Sequence, residues 1–178
     1  MPIRKLEGEA EASRCAYLSA IRDRQGVRYL SVMNVKEIRH GSTEYQQECA
    51  LRQEVMRKPL GLNLYDEDLV AERGQIHFGL YDDKDQLIAC VIAAPVTATE
   101  AKIRQMAVRP SLQGKGCGRL LLEAAEKVLA QRGFTDLFLN SRMTAIGFYE
   151  RLGYEKTGPE FMEVGMSHVK MCKRVSIT

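Results

Sequence analysis

Between Ile103 and Arg119 the chain reads I-R-Q-M-A-V-R-P-S-L-Q-G-K-G-C-G-R. A β-like run, Ile103 to Val108, stops at Pro110, and the glycine-rich stretch Gln113–Gly118 opens directly into an apolar-periodic helix. Strand, tight loop and helix N-terminus together make an anion site out of backbone. The first N–H groups of a helix have no internal partner, and the helix dipole favours negative charge there. Gly114, Gly116 and Gly118 remove the side chains that would hold a phosphate away, while Lys115 and Arg119 add positive charge. The expected ligand at this turn is a pyrophosphate-like group.

Two common phosphate loops are excluded by spacing. A Walker loop needs Gly-Lys-Ser/Thr, but Gly116 is followed by Cys117, Gly118 and Arg119. A dinucleotide fingerprint G-x-G-x-x-G/A ends on Arg119 in one register and on Leu121 in the other. What remains is Gln113-x-x-Gly116-x-Gly118. This segment resembles the acetyl-CoA pyrophosphate loop of the GNAT N-acetyltransferase superfamily, Gln/Arg-x-x-Gly-x-Gly/Ala. A second block, Asn140-Ser141-Arg142 with Ala145, Phe148-Tyr149-Glu150 and Leu152-Gly153-Tyr154, is similar to that family's N-x-R-x-x-A-x-x-F-Y-E-x-x-G-F/Y segment.

Composition bounds the rest. The 178 residues suit one domain with a full core, 45% are apolar and 28% charged, and the net charge of +3 is too small to argue for nucleic acid. No apolar run approaches the roughly 20 residues of a membrane helix, and Met1–Ser13 lacks the apolar centre of a secretory leader. The five cysteines are scattered without a C-x-x-C. They read as free thiols of a reducing cytoplasm, not as a metal or disulfide framework.

Along the chain, Leu6, Ala10, Tyr17, Leu18 and Ile21 suggest one helical stripe, so residues 1–26 read as an accessory helix or extension preceding a domain at 27–178. Val27–Val35 reads as a strand. Thr43 with Gln46 is a capping-box pair starting a helix that runs to about Lys58, before Pro59 and Gly61. The acidic group Asp66, Glu67 and Asp68 reads as solvated surface. Ile76–Tyr81 and Leu87–Thr97 form a hairpin about a polar turn, and Lys102–Val108 is a strand of mixed alternation. The helix from Cys117 to Arg132 carries an apolar face of Leu121, Ala124, Ala125, Val128 and Leu129, and Gly133 ends it. Thr135–Leu139 is the next strand, which implies a parallel pair across a right-handed crossover. A short helix around Phe148 and two strands about Val164-Gly165-Met166 complete the chain.

The resemblance, over roughly residues 27–174, implies an α/β (α+β) fold: a mixed, partly splayed β-sheet flanked by helices. It implies transfer of an acetyl group from acetyl-CoA to a primary amine by direct attack in a ternary complex, with no metal. Backbone of Met106, Ala107 and Val108 would pair with the pantetheine arm as an added strand. Gly114, Lys115, Gly116, Cys117, Gly118 and Arg119 would hold the pyrophosphate with Gln113 beside them, and Asn140 and Phe148 would flank the arm. Tyr149 matches the family's general acid, since a phenol of pKa about 10 is protonated at neutral pH. Glu54, Glu100 and His168 are candidates for the general base. Arg52 and Glu54, in a run resembling the family's acceptor-side helix, are candidates for touching the acceptor, a small-molecule or peptide amine. Cys117 reads as a packing residue. A homodimer is a family habit. The alternatives are a non-catalytic acyl-CoA-binding or sensing module on the same fold, and an interaction module; fold alone does not choose among them.

Overall fold

The structure, a computed structural model, describes residues 15–22 and 28–176, with side chains from Met33 onward. The run L-I-A-C-V-I-A-A-P is apolar without alternation, the pattern of a strand covered on both faces. It forms β4 (Leu87–Pro95), in which every residue from Leu87 to Ala93 is buried, and the sheet grows outward from it. The other strands are β1 (Cys15–Arg22), β2 (Arg28–Ile38), β3 (Ile76–Tyr81), β5 (Glu100–Val108), β6 (Asp136–Arg142), β7 (Glu155–Glu163) and β8 (Met166–Arg174). Their order is β1-β2-β3-β4-β5-β6-β8-β7. All neighbours are antiparallel except β5 and β6, the pair joined by a helical crossover.

That crossover helix, α2 (Cys117–Gln131), covers one face. Leu121, Leu122, Ala125 and Leu129 are fully buried against Ile88, Val91, Ala101, Ile103, Leu137 and Leu139. Each large side chain so covered stabilises the fold by about 1.5–3 kcal/mol relative to exposure. The other face carries a smaller core of Ile38, Tyr45, Cys49, Leu64, Tyr81 and Leu87 under α1 (Thr43–Arg52). A third helix, α3 (Ile146–Glu150), follows β6.

The mixed, splayed sheet agrees with the expectation, and the hairpin, the parallel pair and the α2 limits lie where the sequence puts them. Three readings are corrected. Cys15–Arg22 is a strand paired residue for residue with Arg28–Val35, not part of a helical stripe. Pairing along the free edge of β2 overrides the weak periodicity. Leu6 and Ala10 lie outside the described residues. The α1 cap is Ser42, one residue before the expected Thr43, and its Oγ accepts from the Tyr45 N–H at 3.2 Å. The helix also changes pitch: Gln53–Arg57 is a π-turn and Lys58–Leu60 a 3₁₀ turn, closing on Gly61 at φ +68°. Pro59, which has no N–H to donate, sits where this regular bonding ends. Finally, β6 runs on to Arg142, so Asn140 lies within the strand and not at its end.

Candidate active site

The site begins where β5 and β6 part. They pair only at Glu100–Asp136, Ala101–Leu137 and Lys102–Phe138. Beyond Lys102, among the described residues, the β6-facing side of β5 has no strand beside it. A bulge contributes to the divergence: β4 advances two residues, Cys90 to Ile92, while β5 advances three, Arg104 to Ala107. Gln105 takes φ +54° there, and bulges bend the strand that carries them. This bulge is also why the alternation of the segment looked mixed in sequence.

A cleft of about 760 Å³ fills the opening. At one end lies the glycine loop. Gly114 and Gly116 have φ of +73° and +84°, conformations that L side chains rarely adopt, and a Cβ on either would meet nothing within 4 Å. The space beside them is therefore open. Among the described residues no side chain caps the start of α2, which leaves its first N–H groups without an intrahelical or capping partner. Gly118 is different: a Cβ there would lie 3.0 Å from Met106 Cε and 3.4 Å from Phe148 Cζ, so this glycine lets α2, β5 and α3 approach. The Gln113 side chain donates to the Val108 carbonyl at 3.0 Å, tying the loop to the end of β5. Lys115 is half-buried, while Arg119 is exposed and bonded to Glu123 at 2.8 Å. Cys117 is buried in the core, and burial pushes its thiol pKa up, which suits packing and disfavours a thiolate.

On the other wall, the Tyr149 hydroxyl donates to Met106 Sδ at 3.8 Å. Thioether sulfur is a weak acceptor, so this contact gives way readily to a better one. Burial pushes the Tyr149 pKa up to about 12 against the smaller opposing pull of the Arg142 charge. The ring is wedged edge-on between Phe148 and Tyr154, with centroids at 5.0 and 5.8 Å. Tyr154 is in turn fixed by its hydroxyl to Glu126 of α2 at 2.8 Å, and Lys173 of β8 holds the same carboxylate at 2.5 Å.

At the far end the cleft is lined by Val55, Met56 and Arg57 of the π-turn, by Glu67, and by His168 and Met166 of β8. Arg57 is ion-paired with Glu67 and reaches Gln105 Oε1 at 3.3 Å, so Glu67 belongs to the site and is not merely solvated surface. That pairing holds the Glu67 carboxyl below its usual range. His168 is buried, and its Nδ1 lies 2.9 Å from the Met166 carbonyl. A carbonyl only accepts, so Nδ1 is a protonated nitrogen, which leaves Nε2 as the ring nitrogen turned to other partners.

Met106, Gln113, Asn140, Tyr149 and His168 therefore meet around one cleft, with Phe148 packed beside Tyr149. Ala107, Val108, loop residues 114–119 and Phe148 lie beside the cleft without lining it, and Glu100, Glu54 and Arg52 stand apart from it. Glu100 sits where β5 and β6 are still paired, six residues and about 20 Å of strand from Met106. Glu54 is exposed and pairs with Lys58 at 3.0 Å. Arg52 is wholly buried, held by Glu72 at 2.8 and 2.6 Å with Glu48 at 3.7 Å, so an acceptor contact is replaced by an ion pair beneath α1. Single-sequence periodicity does not tell a buried arginine from a lining one. The sequence reading also missed Arg57, Glu67, Lys102, Arg104, Arg142 and Glu163 as lining residues. The alternation of Lys102 and Arg104 with Ala101 and Ile103 carried a signal for two of them.

Among the described residues, no helix is long and apolar enough to cross a membrane, and no cluster of three or more His, Cys, Asp or Glu side chains is placed to hold a metal ion. Residues 43–175 match the family model described as an acetyltransferase (GNAT) domain. An uncharacterised N-acetyltransferase of Chlorobaculum tepidum is 40% identical over 87 residues, 47% of this chain and 53% of that protein. The chain spans about half the length of the curated relatives it matches. A crystal structure of a candidate N-acetyltransferase from Lactobacillus plantarum superposes with a TM-score of 0.73 at 29% identity, covering 80% of this chain and 97% of that one. An aminoglycoside 6'-N-acetyltransferase crystallised with coenzyme A superposes with a TM-score of 0.65, covering 79% and 96% of the two chains; at 18% identity this likeness speaks for the fold alone. The glycine loop, the parted strands and the family match over residues 43–175 agree, and the chain belongs to the GNAT acetyltransferase family.

Proposed function

We propose that the domain built on this sheet is an acetyl-CoA-dependent N-acetyltransferase that acts on a primary amine by direct attack in a ternary complex. The observation that carries this reading is the placement of Tyr149 against Met106, at the mouth of parted strands that lead to an uncapped helix N-terminus. The open N–H groups of α2 suit the pyrophosphate, with Lys115 and Arg119 nearby. The unpaired edge of β5 at 106–108 suits the amides of the pantetheine arm. The thioester would then lie close to Tyr149.

The amine nitrogen attacks the thioester carbonyl, giving a tetrahedral oxyanion. A backbone N–H of the 106–108 segment would stabilise it. Collapse forms the amide and expels the CoA thiolate, which takes its proton from Tyr149, and the proton shed by the acylated nitrogen restores the phenol. The proton lost by the attacking ammonium needs an acceptor, and we assign that role to His168, which lines the cleft, in preference to Glu100, which does not. A reducing cytoplasm suits the free thiols Cys49, Cys90, Cys117 and Cys172.

The test is incubation with acetyl-CoA and a panel of primary amines, following free thiol together with the acetylated amine by mass. Amine-dependent thiol release with a matching acetylated product supports the reading. Tight acetyl-CoA binding with no product from any amine favours the non-catalytic alternative.

A further inference from the structure

The floor of the cleft has a charge pattern that narrows the acceptor. On β5, Lys102 and Arg104 alternate with buried Ala101 and Ile103; on β6, Asn140 and Arg142 alternate with buried Leu139 and Ser141. The parallel register pairs Lys102 with Phe138, which puts both polar rows on the face opposite α2. Lys102, Arg104 and Arg142 all line the cleft and are half-buried. Among the described residues, none of the three side chains has a carboxylate within ion-pairing distance or a hydrogen-bond partner.

The cleft's own carboxylates do not cancel this charge. Glu67 is held by Arg57. Glu163 accepts from Asn140 Nδ2 at 3.3 Å and, among the described residues, is paired with no cation. Three uncompensated cations against one free carboxylate, in a concave site of reduced dielectric, favour an anionic group and oppose a polycation. Arginine and lysine both bind carboxylate and phosphate oxygens by charge-assisted hydrogen bonds. Glu163 supplies a counter-charge for an ammonium, and Val55, Met56, Leu60, Val164 and Met166 supply apolar walls.

We propose that the acceptor is a small primary amine that also carries an anionic group, carboxylate or phosphate, seated on Lys102, Arg104 and Arg142. This rests on the acetyl-transfer reading above and excludes polyamines and aminoglycosides as preferred substrates.

The test compares matched acceptors on the full chain with acetyl-CoA: phenylalanine against its amide and phenethylamine, O-phosphoethanolamine against ethanolamine, and spermidine as the polycation. Thiol release gives kcat/KM for each. The expected result is a preference of about tenfold or more for the anionic member of at least one matched set, the size of one charge-assisted contact. Which set shows it tells carboxylate from phosphate. The double variant Lys102→Gln/Arg104→Gln should collapse that preference while acetyl-CoA affinity stays within about twofold. Equal or faster turnover of the neutral amines or spermidine, or a preference untouched by the double variant, overturns the proposal. So does silence toward every anionic amine in protein that binds acetyl-CoA by calorimetry. Loss of acetyl-CoA binding in the unaltered protein would instead remove the acetyl-transfer reading itself.

Discussion

The Tyr149 hydroxyl points across the gap between α3 and β5 at the sulfur of Met106, 3.8 Å away. The two residues lie 43 positions apart in sequence. They meet because α2 spans the crossover between β5 and β6, and because Gly118 has no side chain to keep Met106 and Phe148 apart. Replacing Tyr149 by Phe removes one oxygen and keeps the ring contacts with Phe148 and Tyr154. Turnover should fall by about a hundredfold, the lower range for a positioned acid, with the acetyl-CoA dissociation constant unchanged. Stopped assays of thiol release paired with calorimetry separate the two quantities; equal turnover would make Tyr149 a packing residue only.

The same residue fixes a pH expectation. Burial raises the Tyr149 pKa to about 12, so the phenol remains a proton donor throughout the neutral and mildly alkaline range. Loss of turnover through ionisation of this acid should therefore begin well above pH 10, the ordinary phenol value. A kcat profile in acetyl-CoA-saturated enzyme that drops with an alkaline pKa near 10, and loses that limb in Tyr149→Phe, would place the phenol in water and not in the wall.

Gly116 tests the loop. Its φ of +84° means that any side chain there is strained, but a Cβ meets no atom, so Gly116→Ala carries backbone strain of about 1 kcal/mol and little else. Gly116→Glu adds bulk and negative charge at the uncapped start of α2. Coenzyme A affinity should fall at least about a hundredfold in the Glu variant and much less in the Ala variant. Similar affinities in both would separate this loop from the phosphate.

Arg52 should behave as a structural residue. It is fully buried with Glu72 and Glu48, and removing one partner of such a set leaves a buried charge unpaired, at about 3–5 kcal/mol. Arg52→Ala should lower Tm by about 10 °C. Where the variant still folds, its KM for acetyl-CoA should stay near that of the unaltered protein. Calorimetric melting reads the first quantity, and a stable variant with a large KM change would return Arg52 to the cleft.

His77 sits in the same buried set, with Nδ1 3.0 Å from both Glu48 oxygens and Nε2 3.3 Å from the Glu72 carbonyl. Desolvation alone would lower its pKa, but the Glu48 hydrogen bond and charge outweigh it, and the net shift is upward. A folded-state pKa raised above the unfolded value of about 6.5 gives stability that is complete below that pH and is lost as pH rises through the folded pKa. Tm should therefore decline on the alkaline side of about pH 6.5, and His77→Gln should flatten that decline. A slope unchanged by the substitution would assign it elsewhere.

The elements easiest to read in sequence were those whose local pattern and tertiary surroundings agree. The apolar run of β4 could only be a strand covered on both faces, and α2 begins at a glycine turn and ends before Gly133 with an unbroken stripe between. The glycine loop and Tyr149, the proposed phosphate and acid positions, were legible because the residues that suggest those roles lie in contiguous motifs. The acceptor side was not. Gln105 takes a positive φ to make a bulge that no glycine announces. Arg52 and Arg57 are five positions apart on one helical segment, yet the change to π-turn pitch after Arg52 leaves one in the core and the other in the cleft. Glu67 looked solvated because its partner, Arg57, is ten residues away. Cys15–Arg22 became a strand through a partner edge that its own periodicity does not encode.

Calorimetric titration with acetyl-CoA, desulfo-CoA and ATP bears most directly on the donor site. Saturable binding of both CoA ligands, with none for ATP, is the expected result. It would place a CoA pyrophosphate and pantetheine arm, not any nucleotide triphosphate, between β5, β6 and the start of α2. Absence of binding by either CoA ligand would contradict the assignment of residues 103–119 as the donor site, and the acetyl-transfer reading with it.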